Sequence, residues 1–206
     1  MKKLFIYLSC LTLASQVAFG QSFELDKTQS HVTWEGSKPT GKHNGKLQFK
    51  EGTISLKGSN VTSAMFVADM NTITCDDLTG DNNKKLVGHL KSKDFFDVAK
   101  HPTATFKFEK VSLEKGGKYR FKGTLTLLGV SKPVFFMADV NRKDPKKIEA
   151  TTSFSINRTD WGLKYKSKSF FKNIGDKFIH DNMKIGIKLV AKAKAAPIKK
   201  VGSSTN

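Results

Sequence analysis

Cysteine is nearly missing from this chain: Cys10 and Cys75 are the two in 206 residues, too few for a disulfide framework. Tyrosine is also scarce, at three residues against 16 phenylalanines. The common catalytic signatures are absent as well. There is no Gly-x-Ser-x-Gly, phosphate loop, Cys-x-x-Cys or His-Glu-x-x-His, so nothing marks a nucleophile elbow, a nucleotide cradle or a zinc protease. The five histidines, at positions 31, 43, 89, 101 and 180, fall at no recognised metal-ligand spacing. No carboxylate pair is singled out by a motif for acid/base work. The chain is therefore expected to be no enzyme, to hold no metal and to carry no cofactor.

Long apolar runs are missing too, apart from Leu4 to Leu13, which is too short to span a bilayer. It follows Lys2 and Lys3 and precedes Ala18-Phe19-Gly20, whose small residues sit where a signal peptidase reads. Residues 1–20 are thus expected to be a signal peptide cleaved after Gly20, giving a periplasmic or secreted protein. Cys10 lies too early in the apolar run to favour lipidation. Cleavage leaves Cys75 as the single thiol, so no intramolecular disulfide can form, and it reads as a half-buried strand residue. The remaining chain is long enough for one domain with a sizeable core, stabilised by that core alone.

Acidic residues are few: 18 Asp and Glu face 36 Lys and Arg, and losing Lys2 and Lys3 still leaves a net +16. Such a balance invites nucleic acid, but the lysines mostly alternate with apolar residues, as in "KYRFKGTLTL", which describes a solvated outer face. Export argues against nucleic acid too, and leaves an anionic membrane surface as the long-range partner.

What the sequence does have is period-two alternation. Tyr119, Phe121, Leu125 and Leu127 fall on one face, with Lys118, Arg120, Lys122, Thr124 and Thr126 on the other. Gly123 sits among the inward residues and leaves room for a bend or a ligand. Phe106 and Phe108 alternate with Lys107 and Glu109, and "EKGGK" joins the two segments as a hairpin. Met183, Ile185, Ile187 and Leu189 repeat the pattern near the end. Further strands are expected at Ser30–Ser37, Lys42–Lys50, Thr53–Lys57, Val61–Ile73, Lys132–Asn141 and Ile148–Ile156. Turn chemistry separates them in "EGT", "KGSN", "LGVSKP" and "RKDPKK". Eight or more antiparallel strands need their edges managed, and closure into a barrel does this most simply; a sandwich fits the spacing too.

One segment departs from alternation. In "TGDNNKKLVGHLKSKDFF", Leu86, Val87 and Leu90 fall at helical spacing, with Asp81 as N-terminal cap or first-turn acid. A short helix here would close one end of a barrel. Phe95 and Phe96 would anchor its exit, and Pro102 would stop it before the next strand. His89, Asp94, Asp97 and His101 then belong to a lid and its connecting loop rather than to a reactive cluster. The tail from residue 192 onward is small, basic and polar, as fraying ends are.

Several stretches together carry a resemblance. They are "SHVTWEGSKPTGKHNGKL", "DDLTGDNNKKLVGHLKSKDFFDVAKHPTATF", "GTLTLLGVSKPV", "INRTDWGL" and "IGDKFIHDNMKIGIKL". In this order and spacing the chain resembles the YceI-like, lipocalin-like polyisoprenoid-binding proteins of bacteria, over about Phe23 to Ala191. "INRTDWGL" is close to that family's Arg-x-Asp-Phe-Gly pattern, with Trp161 in place of phenylalanine. The resemblance implies an all-β fold, an extended eight-stranded antiparallel lipocalin-like barrel with one short helix closing an end, over residues 21–191. It also implies a long apolar channel for an isoprenoid quinone, polyprenyl phosphate-type lipid or fatty amide, in an exported protein that carries or stores its ligand and commonly pairs as a homodimer.

On that reading Trp34, Met65, Val67, Phe106, Phe108, Phe121, Leu125, Leu127, Phe135 and Met137 are the candidate channel residues. His43 is the candidate near a polar head. Phe170 and Phe171, in a lysine-flanked loop, would gate the mouth or touch a membrane, unless they anchor the loop under the barrel. Arg158 and Asp160 read as a structural ion pair or strand-end hydrogen bonds. Periodicity leaves a packed interior and a hollow one equally open. Two further readings stand beside lipid carriage: an enzyme acting on an isoprenoid lipid or quinone, and a ligand-free basic module for membrane surfaces.

Overall fold

A computed structural model describes residues 20–194. It contains nine strands: β1 (Gly20–Leu25), β2 (His31–Lys38), β3 (Gly41–Lys57), β4 (Asn60–Asp69), β5 (Thr103–Leu113), β6 (Tyr119–Leu127), β7 (Val130–Asn141), β8 (Lys147–Asn157) and β9 (Asn182–Ala193). One α-helix, α1 (Gly80–Lys91), lies between β4 and β5. All pairings are antiparallel, in the order β1-β3-β2-β9-β8-β7-β6-β5-β4, and β3 also pairs β4. That last pairing closes the ring, so the sandwich alternative falls.

Nine strands make an eight-position barrel because β1 and β2 share one position. Both run between β3 and β9: β1 against Thr53–Lys57 and Ala191–Ala193, β2 against Gly41–Gln48 and Lys184–Lys188. They are one interrupted strand, broken by Asp26–Ser30. Fully buried Ser30 repairs the break: its hydroxyl accepts from the Val190 amide at 2.9 Å and lies 3.2 Å from the Val190 carbonyl. Asp26 folds the loop, accepting from Thr28 and Gln29 and pairing with Lys192 at 2.7 Å. β1 is short and its alternation is brief, so sequence reading missed it. Lys192 and Ala193 belong to β9 rather than to a tail. Residues 1–19 of the expected signal peptide 1–20 and residues 195–206 of the expected tail lie outside the described residues, and Gly20 is the first residue of β1.

The expected turn "EGT" is a bulge instead. β3 runs unbroken for 17 residues, with its register against β4 shifting between Phe49 and Glu51. The extra residue bends the strand around the barrel. Gly52 follows because the Phe66 ring lies over it; a Cβ there would sit 2.6 Å from the ring. The true turns are tighter. Leu127 pairs Val130 across Leu128 and Gly129, both at positive φ (52° and 73°), as a primed two-residue hairpin requires.

The two ends of the barrel differ. At one end lie the long connections, Met70–Pro102, which carries α1, and Arg158–Asp181, together with the two-residue hairpins β2–β3 and β6–β7; at the other lie the hairpin turns β3–β4, β5–β6 and β7–β8. Helix α1 starts after Thr79, with Asp81 in its first turn; Thr79 makes no side-chain cap bond. It buries Leu90 and packs half-buried Leu86 and Val87 on the core at its end.

Candidate functional site: an apolar cavity with a basic mouth

Inward-facing residues from all eight ring strands surround a cavity of about 210 Å³. Its wall runs from Met70, Ile73 and Phe96 at the helix end to Val61, Val140 and Arg142 at the turn end. Of the 33 lining residues only Thr152 and Arg142 are polar. Phe136 is the hub of an aromatic chain along the wall. Its ring stacks on Phe154 at 4.8 Å and on Phe121 at 5.5 Å, and meets Phe106 at 5.5 Å; Phe121 in turn meets Phe108 at 6.4 Å.

Trp34, Phe106, Phe108, Phe121, Leu125 and Leu127 lie on this wall. Phe135 and Met137 do not: they point outward and are 60% and 36% exposed, while Val134, Phe136 and Ala138 point in. Met65 and Val67 are misplaced in the same way, since Ala64, Phe66 and Ala68 hold the inner face of β4. Val67 is buried but belongs to neither core cluster. Both strands carry the sign that decides the face. Asp69 shares parity with Met65 and Val67, and Asp139 with Phe135 and Met137, so each outer face is the one ending in a carboxylate. Phe66 and Phe136 were thus readable and were missed, as was Phe154 on β8. Gly123 leaves no room for a ligand, because the Phe106 ring occupies the space its side chain would take, while the β5–β6 register shifts directly beside it, between Phe108 and Lys110.

His43 stands away from the cavity. Its Nδ1 is 2.7 Å from Asp77 Oδ2, and Asp77 Oδ1 accepts from the Asn44 amide at 2.9 Å. The Asn44 hydrogen bond, with help from His43, holds the Asp77 carboxyl at about 2. This pair latches the connection before α1 onto β3. Cys75 lies in that connection rather than in a strand; it is buried, and burial pushes its thiol up. Phe170 and Phe171 line no part of the cavity. They are 49% and 47% exposed in the β8–β9 connection, where Lys164 Nζ stands 4.6 Å over the Phe170 ring, so they are no anchor under the barrel.

The helix end is sealed. The indole N–H of Trp34 donates to the Thr74 carbonyl at 3.1 Å, and that of Trp161 to the Leu125 carbonyl at 3.0 Å. Behind them Leu90, Phe96, Val98 and Leu163 are buried. Arg158, 3% exposed, donates to the carbonyls of Leu163 (2.7 Å), Ile179 (3.0 Å) and His180 (3.1 Å), and meets Asp181 at 3.3 Å. Its ionic partner is Asp181, not Asp160, because the β8–β9 connection brings its far end back beneath the guanidinium. His89 pairs with Asp94 at 3.0 Å and packs edge-on to Phe95 and Tyr165. Asp97 and His101 do not join them, and no three His, Cys, Asp or Glu converge on a metal position among the described residues.

The YceI-like domain matches residues 23–191. The chain belongs to the YceI family. A UPF0312 protein of Pseudomonas putida (strain W619) is 32% identical over 178 residues, covering 80% of this chain and 88% of that one. UPF0312 proteins of Vibrio cholerae are 32% identical over 95 residues, 46% of this chain and 48% of theirs, so the match spans about half the length of those relatives. In fold, the chain is similar to a polyisoprenoid binding domain from Saccharophagus degradans, with a TM-score of 0.61 at 18% identity over 84% of this chain and 98% of that one. The closed antiparallel barrel with one helix is thus the architecture of this YceI member.

Proposed function

We propose that this protein binds lipid, holding the chain of a long amphiphile, an isoprenoid above all, inside the barrel as an exported carrier or store. The observation that carries the reading is the lining: an interior with Thr152 and Arg142 as its polar members suits a hydrocarbon chain. The likeness to a polyisoprenoid binding domain supports the isoprenoid. Lys2, Lys3 and the apolar run after them support export.

Each methylene taken from water contributes about 0.8 kcal/mol, so chain length drives affinity. At about 210 Å³ the cavity is smaller than the roughly 300–1,000 Å³ of ordinary ligand pockets, so a long chain must turn aside rings such as Phe108 and Phe121. A lining with so few polar groups offers little for acid/base chemistry, which supports binding over turnover. Exposed Phe170 and Phe171 among lysines, at the helix end, support a touch on an anionic bilayer at the end away from the turns.

Titration with prenyl alcohols of increasing length tests the reading. Affinity should rise with each isoprene unit until the cavity is full, and organic extracts of protein purified from its native host should contain a long-chain amphiphile. Flat affinity across the series, together with a lipid-free extract, sinks the proposal.

A further inference from the structure

The turn end of the barrel carries a charged group that nothing above accounts for. Arg142 follows the end of β7, at the start of the β7–β8 turn, and is the single charged residue on the cavity wall. Its Nη1 donates to the Ser59 carbonyl, in the β3–β4 turn, at 3.0 Å. In the ring order, β7 stands four positions from β3 in either direction, so the side chain lies across the mouth like a bar. One hydrogen bond uses one of five guanidinium N–H groups. Among the described residues no carboxylate pairs with Arg142: Glu149 is taken by Lys147, Asp139 by Lys118 and Glu114 by Arg120, and Asp144, in the same turn, accepts from the Lys146 amide instead.

Two further features converge here. Residues 57–60, 113–119 and 141–147, which form the three turns, hold seven basic side chains against two acids. The wall also opens at this end. β4 and β5 pair through Met65–Asp69 and Thr103–Lys107 and part beyond Met65 and Lys107, beside cavity-lining Val61, Ala64 and Phe108, whereas the parting of β7 and β8 beyond Ala138 and Thr152 faces the helix end, where the turn Arg158–Trp161 packs against β7.

We infer that Arg142 is the head-group ligand of the barrel: it binds a phosphorylated head at the turn-end mouth while the chain lies in the cavity. A guanidinium offers two parallel N–H donors to paired anionic oxygens. The surplus of lysines around it suits a head with more than one negative charge, which favours phosphate over carboxylate. Giving up the Ser59 bond opens the bar, so head binding and chain entry occur in one movement. This rests on the lipid-binding reading above.

The test uses the full chain and two probes with one tail, geranylgeraniol and geranylgeranyl diphosphate, with inorganic diphosphate as the chain-free control. Binding is followed by the fluorescence of Trp34, which lines the cavity. Wild type should bind the diphosphate ester at least 10-fold more tightly than the alcohol. R142Q should lose about 10-fold or more for the ester, keep its affinity for the alcohol and keep its melting temperature, since Arg142 is exposed. R142K should recover part of the loss. Equal binding of ester and alcohol, or an R142Q affinity for the ester equal to wild type, overturns the assignment and leaves lipid binding standing. Inorganic diphosphate binding as tightly as the ester overturns it in favour of a free-anion site. Binding of neither prenyl probe overturns both readings.

Discussion

The two ends of this barrel are built from different kinds of chain, and the difference separates stability from access. The helix end is made of long connections whose polar groups are buried and answered, down to four hydrogen bonds on Arg158. No buried side-chain nitrogen or oxygen lacks a partner among the described residues. The turn end has hairpin turns and no long connection, the β4–β5 seam parts toward it, and its guanidinium meets no carboxylate. A cavity that must admit a chain needs one end that yields. Burying the cooperative polar contacts at the other end lets it do so without loosening the fold.

The sharpest way to break this comparison is at the two arginines. Arg158→Met leaves the Leu163, Ile179 and His180 carbonyls unanswered and Asp181 without its cation. Removing one side of a buried charged network costs about 3–5 kcal/mol, or roughly 10 °C in melting temperature for a chain of this size. Arg142→Gln should move the melt by less than about 0.5 kcal/mol. Similar losses from both would show that the two ends share the burden of stability.

Next in size is the strand that carries the aromatic hub. Phe136→Ala should cost about 3 kcal/mol, because the ring touches three others on the cavity wall. Phe135→Ala, one residue away on the outside, should cost under about 1 kcal/mol. Equal effects would mean that β7 sits one residue out of register. Gly123→Ala comes third: the new methyl meets the Phe106 ring and the Lys107 backbone carbonyl, at about 1–3 kcal/mol by the usual toll of overpacking. Phe106→Leu in the same chain should return part of that loss, and additive losses would place the strain elsewhere.

Alternation along β6 and β9, the turn signals and the helical spacing of Leu86, Val87 and Leu90 made most of the fold legible before any coordinates. The faces of β4 and β7 were less so, because each presents adjacent apolar residues and only a carboxylate several positions on breaks the tie. β1 escaped because it shares its place with β2, and no local pattern announces that two short segments complete one strand. The candidate site divides likewise. Cavity-wall phenylalanines follow from periodicity, but Arg142 sits in "RKDPKK", where it looks like any turn cation. Its position against Ser59, 83 residues away, exists only once the ring has closed.

The smallest effect belongs to pH and again sets one end against the other. Asp77 at the helix end is held at about 2, below the ordinary 3.8, first by the Asn44 amide and then by His43. A carboxyl depressed on folding lends stability above its unfolded value, and that stability drains away as pH falls through the folded one. Asp77→Asn should therefore lower the urea midpoint near pH 7 by a few tenths molar, and the gap from wild type should narrow from about pH 4 down to pH 2. Glu149, at the turn end, is lowered by its surface pair with Lys147, where solvent screens the gain. Glu149→Gln should accordingly leave the midpoint unchanged across the same range. A shift as large as that of Asp77→Asn would show that charge at the mouth also supports the fold, and would remove the division of labour between the two ends.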